Sequence, residues 1–261
     1  MLRPRISPCL LVRKKGLVKT CNFKSGKYVG DPINAVRIFN EKEVDELIVL
    51  DIDATVERRD PDYKMIEDLA AECRMPLCYG GGVKTIDQAM RIFGLGVEKI
   101  GISSAAVQSP RFVSNLAERV GTQSVVVILD VVKTGREGKY QIVTHNAREK
   151  TPRCPVQFSR EVAQLGCGEI VINSVDRDGM MNGYDLELMA SIRAAVGVPL
   201  TALGGAGTLR DIGSLIQKFG IIGASAGSLF VFKGAFKAVL INYPSRVEKD
   251  ALVRENFPGI K

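Results

Sequence analysis

The feature that most constrains this chain is an internal duplication. Asp45-Glu-Leu-Ile-Val-Leu-Asp-Ile-Asp53 aligns with Gly168-Glu-Ile-Val-Ile-Asn-Ser-Val-Asp176, and at the same offset Pro76-Leu77, Gly81-Gly82 and Thr85 align with Pro199-Leu200, Gly204-Gly205 and Thr208. A chain of this kind is built twice on one plan. Short β-branched runs at 5–12, 45–52, 75–79, 97–103, 123–130, 168–174, 198–203 and 221–226 read as strands. Stretches with apolar residues at 3–4 spacing, at 31–43, 60–73, 85–94, 109–119, 155–165, 184–196, 208–219 and 234–242, read as the intervening helices. Eight strand–helix units in 261 residues match the arithmetic of a (β/α)8 TIM barrel assembled from two half-barrels. A doubly wound open sheet fits less well, because it ordinarily has fewer strands and a clear switch point. The expectation is an α/β chain with a single (β/α)8 barrel domain over 1–261.

Composition narrows the function classes. The longest apolar runs, such as 48–50 and 124–129, are strand-sized and fall short of the ~20 residues of a membrane span. From Met1 the chain runs directly to Ile6, Cys9, Leu10 and Val12 without the apolar stretch of a signal peptide, so a cytoplasmic protein is expected. Cys9, Cys21, Cys73, Cys78, Cys154 and Cys167 form no CxxC pair and read as reduced thiols, with neither a disulfide framework nor a metal site. No cofactor is expected. The net charge of +7 suits a small polyanionic substrate. Nucleic acid is not expected, since the basic residues are scattered and have no aromatic platform beside them.

In such a barrel the working face lies at the C-terminal ends of the strands. Gly80-Gly81-Gly82 ends the third strand and Ser103-Ser104 the fourth; Asp178-Gly179 follows the sixth, Gly204-Gly205 ends the seventh, and Gly227-Ser228 follows the eighth. Glycines there let backbone N–H groups approach an anion at a helix start. The duplication therefore predicts two phosphate sites on opposite sides of one mouth, spanned by a substrate phosphorylated at both ends. Strand alternation then assigns side chains to the interior. If Arg5 points inward, so do Cys9 and Leu11, Glu46 and Leu50, Lys99 and Ser103, Ile128 and Asp130, and Glu169 and Asn173. Arg5, Glu46, Lys99 and Glu169 then form a ring of two cations and two anions on the barrel floor. Charges in such a place are costly unless paired, so a neutral quartet reads as a plug or gate. Asp130, in the mouth, is placed to act as a general acid or base. The duplicate position on the first strand is Leu11, so half of the expected carboxylate pair is missing.

Along nearly its whole length the chain resembles the cyclase subunit of imidazole glycerol phosphate synthase. The carriers are Pro8-Cys9-Leu10, Gly30-Asp31-Pro32, Asp45-Glu46-Leu47 with Leu50-Asp51-Ile52, Gly80-Gly81-Gly82, Gly121 with Gln123-Ser124-Val125-Val126, Asp176-Arg177-Asp178-Gly179, Gly183-Tyr184-Asp185-Leu186 and Gly204-Gly205-Ala206-Gly207. The resemblance implies a barrel that takes ammonia from a glutaminase subunit docked on its floor. It implies use of that ammonia at the mouth to cleave and cyclise a bis-phosphorylated ribulosyl-formimino aminoimidazole ribotide to imidazole glycerol phosphate. Carried onto this sequence, it places Arg5, Glu46, Lys99 and Glu169 at the ammonia gate and Asp130 as one catalytic acid/base. Gly82, Ser103 and Ser104 fall at one phosphate site, and Asp178, Gly179, Gly205, Gly227 and Ser228 at the other. Glu98, at the start of strand four, is placed to point outward and meet a basic group on the glutaminase.

The departures are as informative. Leu11 stands where the resemblance implies the first catalytic aspartate, Ser103 stands where it implies an asparagine, and Lys19 near the mouth is retained. Leucine exchanges no proton, and losing one positioned acid/base typically costs ~10²–10⁴-fold in rate. The runs Pro8-Cys-Leu-Leu11, Tyr28-Val-Gly-Asp-Pro-Ile-Asn34, Phe39-Asn-Glu-Lys-Glu-Val-Asp45, Cys78-Tyr79-Gly-Gly-Gly and Gly227-Ser-Leu-Phe-Val-Phe232 are closer to a divergent branch found with surface-polysaccharide genes. There, glutamine-derived ammonia converts an acetamido sugar to an acetamidino sugar, which implies an ATP-dependent amidotransferase as a further partner. An ordinary cyclase and a phosphate-binding barrel without turnover remain as alternatives.

Overall fold

A computed structural model describes residues 3–135 and 139–257. Eight strands form the centre: β1 (Arg5–Arg13), β2 (Leu47–Asp51), β3 (Leu77–Gly80), β4 (Lys99–Ile102), β5 (Val125–Thr134), β6 (Glu169–Ser174), β7 (Leu200–Leu203) and β8 (Gly223–Ala226). Each pairs in parallel with its neighbour in sequence order, and β8 returns to β1 with Arg5 opposite Gly223 and Pro8 opposite Ala226. The sheet is thus closed and has no free edge, which is the (β/α)8 barrel that the duplication predicts.

Two apolar layers hold it. Outward residues such as Leu10, Val49, Tyr79, Ile100, Val127 and Ile172 pack under the helices. Inward residues Cys9, Ile48, Cys78, Val126, Ile128, Val171 and Leu203 make a smaller inner cluster, with Leu11 and Leu50 against it. The alternation read from the strands is the one observed. Helix starts follow from their capping chemistry: Asp31, Asp62, Thr85, Asp185 and Ser245 each accept a backbone N–H of the first turn.

Seven expected helices are found within a few residues of their predicted limits, but the eighth is not at 234–242. That segment holds a short hairpin, Phe232–Lys233 against Ala238–Val239, and the helix forms later, over Arg246–Asn256. Gly234 and Lys237 take positive φ and turn the chain back. After Pro244, Ser245 and Glu248 close a reciprocal capping box that starts the true helix. Two further hairpins on the mouth side had no counterpart among the predicted strands. One pairs Gly16–Cys21 with Lys24–Gly30; the other pairs Lys139–Thr144 with the end of β5. Among the described residues no helix is long and apolar enough to cross a membrane, and no group of three or more His, Cys, Asp or Glu is placed to hold a metal ion. All six cysteines are unpaired.

Candidate functional site

The floor is the most definite feature. Arg5 lays its guanidinium between two carboxylates, Nη1 to Glu46 Oε2 at 3.0 Å and Nη2 to Glu169 Oε1 at 2.8 Å. Lys99 Nζ closes the other side, 2.7 Å from Glu46 Oε1 and 2.9 Å from Glu169 Oε2. The four side chains therefore form an alternating ring at the N-terminal ends of β1, β2, β4 and β6. Both glutamates are about 5% exposed or less, whereas Arg5 and Lys99 keep 34% and 17%.

The two acids are not equivalent. Thr201 Oγ1 donates to Glu169 Oε1 at 2.5 Å, giving that carboxylate a third donor. Burial pushes both carboxyls up. At Glu169, Arg5, Lys99 and Thr201 together outweigh burial and hold it below the usual range. At Glu46, burial and the charge of Glu169 prevail and raise it. Burial also opposes the charges of Arg5 and Lys99, but the facing carboxylates more than compensate, so both stay firmly protonated. Position 223 must leave room for this: a Cβ there would fall 1.8 Å from Thr201 Oγ1.

Above the inner apolar cluster the barrel opens into a cavity of about 1200 Å³, continuous with solvent. Leu11, Leu50, Ile128 and Leu203 line its lower wall, and Asp130, Ser103, Ser104, Asp178 and Lys19 its upper part. Asp130 accepts from Asn173 Nδ2 at 2.9 Å. Burial raises its carboxyl to about 7, and the Asn173 bond only partly offsets that. This side chain can hold or release a proton near neutrality. No second carboxylate pairs with it from β1, because Leu11 occupies that place. Asn173 Oδ1 is buried without a hydrogen-bond partner among the described residues.

Lys19, carried by the first hairpin, folds into the mouth, where it is 6% exposed and donates to the Cys9 carbonyl at 2.5 Å. Burial lowers its ammonium below the usual lysine range. Its Nζ lies against Gly227, where a Cβ would come within 2.2 Å. Asp178 accepts from Thr20 Oγ1 at 2.6 Å and from Phe23 N at 3.3 Å, tying that hairpin across the mouth. The glycines expected to cradle phosphate are also points of close chain approach. A Cβ at Gly179 would meet Thr20 O at 2.1 Å, one at Gly205 would meet Gly183 O at 2.1 Å, and one at Gly82 would meet Ala54 Cβ at 3.0 Å. Ser104 and Ser228 open helices of only 5 and 4 residues. Glu98 is exposed as expected, but its Oε2 accepts from Leu77 N at 2.8 Å.

Two mouth residues escaped the sequence reading. His145, the chain's one histidine, and Asn146 follow the second hairpin, on the turn that leads from Thr144 to the short strand Glu149–Lys150, and both line the cavity. Asn146 Nδ2 donates to Ile52 O at 2.6 Å, and residues 145–147 all take positive φ. Three successive left-handed non-glycine residues leave no periodic signal in a sequence.

The family described as "Histidine biosynthesis protein" matches residues 5–237. A protein of Vibrio vulnificus (strain YJ016), named "Putative imidazole glycerol phosphate synthase subunit hisF3", is 57% identical over 249 residues, 95% of this chain and 96% of that one. One of Leptospira interrogans, "Putative imidazole glycerol phosphate synthase subunit HisF", is 56% identical over 97% of this chain and 99% of its own length. The "Imidazole glycerol phosphate synthase subunit HisF" of Alkaliphilus metalliredigens (strain QYMF) is 40% identical over 88% of this chain and 91% of its own.

Proposed function

This chain belongs to the histidine biosynthesis protein family as a HisF-like barrel subunit, and from that premise we propose that it is the ammonia-receiving subunit of a glutamine amidotransferase. A glutaminase docks on the floor, ammonia enters through the charged ring, and an ATP-dependent amidotransferase uses it to turn an acetamido sugar into an acetamidino sugar for surface polysaccharide. The work is placed in the cytoplasm, where glutamine and ATP are available.

The observation that carries this reading is a contrast between the two ends of one barrel. The floor keeps all four charged groups in a closed ring, while the mouth has Leu11 where an acid/base is needed. Within the ring Lys99 is the movable member. Arg5 holds both glutamates through a planar two-pronged guanidinium, whereas Lys99 reaches them through a single ammonium on a flexible stem; swinging Lys99 aside leaves two carboxylates facing one cation, so the open arrangement is the costlier one. Between the ring and the cavity stand the inner apolar side chains Ile48, Cys78, Val126 and Val171, with Leu11, Leu50, Ile128 and Leu203 at the cavity's lower wall, and ammonia would pass between them. An apolar wall favours neutral ammonia over ammonium and offers nothing for it to react with. Amide oxygen is a poor leaving group, so ATP-driven activation of the acetamido carbonyl belongs to the partner.

A second reading is favoured by Asp130, whose carboxyl titrates near neutrality beside Asn173. It is the cyclase of histidine biosynthesis acting on the bis-phosphorylated formimino ribotide, with Gly82, Ser103 and Ser104 holding one phosphate and Asp178, Gly179, Gly205, Gly227 and Ser228 the other. One assay separates the two. Supplied with ammonia and the bis-phosphate substrate, the natural protein should turn over at least ~100-fold more slowly than a Leu11→Asp variant, the usual worth of one acid/base. A natural-protein rate equal to that of an ordinary cyclase would overturn the first reading in favour of the second.

A further inference from the structure

We infer that the rim formed by the first and last hairpins, Gly16–Gly30 and Phe232–Val239, is the docking surface for a protein that receives ammonia at the mouth, and that this partner presents carboxylates around an apolar centre. The inference rests on the conduit reading and adds to it a second, separate interface at the opposite end of the barrel from the glutaminase.

The two hairpins meet. Lys27 Nζ reaches Lys237 O at 3.5 Å and lies 5.2 Å from the centre of the Phe232 ring. Both adjoin the mouth, since the first carries Lys19 and Phe23 into the cavity and the last follows directly on Gly227 and Ser228. Together they expose large apolar side chains that a monomer ordinarily covers: Phe236 at 98%, Tyr28 at 65%, Leu240 at 51% and Val239 at 44%. A shell of like charge surrounds them. Lys24, Lys27, Lys233 and Lys237 are all exposed, and among the described residues none is ion-paired with a carboxylate. Neither hairpin carries an acid of its own, since no Asp or Glu occurs between Met1 and Gly30 or between Asp211 and Glu248. Some cations elsewhere do have acidic partners, as Arg37 with Glu72 and Lys64 with Asp68, but the rim gathers those four lysines, unpaired among the described residues, around one apolar centre.

An apolar centre inside an unneutralised basic rim is complementary to an acidic, apolar-centred protein surface. A protein occupant fits the position better than a lipid surface, because the patch frames the outlet of an ammonia path, and a bilayer pressed on it would close the outlet with nothing to accept the product.

The test places the photocrosslinking residue p-benzoylphenylalanine at position 236 of the full chain, expressed with its glutaminase in cells that make the protein. The adduct is then identified by mass spectrometry. We expect a crosslink to an ATP-binding amidotransferase, and a fall in its yield of at least ~10-fold when Lys27 and Lys237 are both changed to Glu, as for reversed charges at an interface rim. Glutaminase binding and glutamine hydrolysis should be unaffected by the double change. Flotation with phosphatidylglycerol vesicles runs in parallel. A crosslink to the glutaminase, no crosslink, or Phe236-dependent flotation would each overturn the docking assignment. Loss of glutaminase binding by the unmodified chain would instead overturn the conduit reading beneath it.

Discussion

Thr201 donates its hydroxyl to Glu169 at 2.5 Å, and among the described residues no hydroxyl does the same for Glu46. A ring that is symmetric in charge is therefore asymmetric in proton affinity. Glu169 is held as an anion, and Glu46 is the acid that takes up a proton first.

Thr201→Val keeps the shape and removes the donor. Hydrogen bonds to buried charged groups are worth about 1.5–3 kcal/mol, so urea denaturation near pH 7 should show a loss of that order. The sign with pH follows from Glu169, whose folded value lies below its unfolded one. Its contribution is present above the unfolded value and is lost as pH falls through the folded one, so the penalty should shrink in acid. Gly223→Ala, which drives a methyl into the same hydroxyl, should weaken the protein in the same direction. A penalty that stays constant down to the most acidic pH at which the protein remains folded would show that Thr201 serves packing alone.

Lys99→Ala leaves two buried glutamates facing one arginine. Breaking such a pair costs about 3–5 kcal/mol when fully buried, and the residual exposure of Lys99 places the expected loss at the low end. With the glutaminase bound, glutamine hydrolysis should continue while ammonia transfer becomes uncoupled from it, and reaction with external ammonia should survive. An unchanged ratio of glutamine consumed to product formed would make the ring a structural plug and no gate.

Asp130 should titrate near 7 by carboxyl NMR, because burial outweighs the donor from Asn173. A raised folded value means that its stabilising effect is complete below the unfolded value and is lost as pH rises through about 7. Asp130→Asn should therefore match the natural protein near pH 4 and exceed it at pH 8, by roughly 4 kcal/mol for a carboxyl raised from 3.8 to about 7. Asn173→Leu should move the midpoint upward. A midpoint below 5 would remove Asp130 from consideration as an acid/base at neutral pH.

Inorganic phosphate distinguishes use of the mouth turns as anion sites from their use as close chain contacts. If Gly82 with Ser104 and Gly205 with Ser228 still hold phosphate, calorimetry should show two weak sites, with Ser104→Asp and Ser228→Asp each deleting one. Because Lys19 lies beside Gly227, Lys19→Met should weaken only the second. Heat with neither site visible would leave the second reading without its substrate anchor.

Much of this was legible in the chain. The repeat of Glu46 and Pro76 at Glu169 and Pro199 announced a barrel made of halves, and strict alternation along each strand carried Arg5, Glu46, Lys99 and Glu169 to one floor. Alternation works there because a closed parallel sheet permits no slip. The hairpins were not legible for the opposite reason. The turn of the first rests on the positive-φ residues Asn22 and Phe23, and the turn after the second on His145, which do not look like turn residues as a group. Apolar residues at 236, 239 and 240 imitate a helix, although Gly234 and Pro244 bound a segment too short and too kinked to form one. The burial of Lys19 depends on where Asp178 pins its hairpin, a long-range contact that no local pattern encodes.

The origin of the four floor charges has a consequence for assembly itself. Arg5, Glu46 and Lys99 come from the first half of the duplicated chain and Glu169 from the second. Related halves present similar edges, so nothing in backbone pairing prevents two copies of one half from closing on each other. Two first halves would bring four cations against two carboxylates, and two second halves would bury two carboxylates with no cation at all. Only unlike halves cancel. Since uncompensated buried charge costs several kcal/mol, the ring discriminates the intended barrel from its look-alike dimers while the chain is still choosing partners.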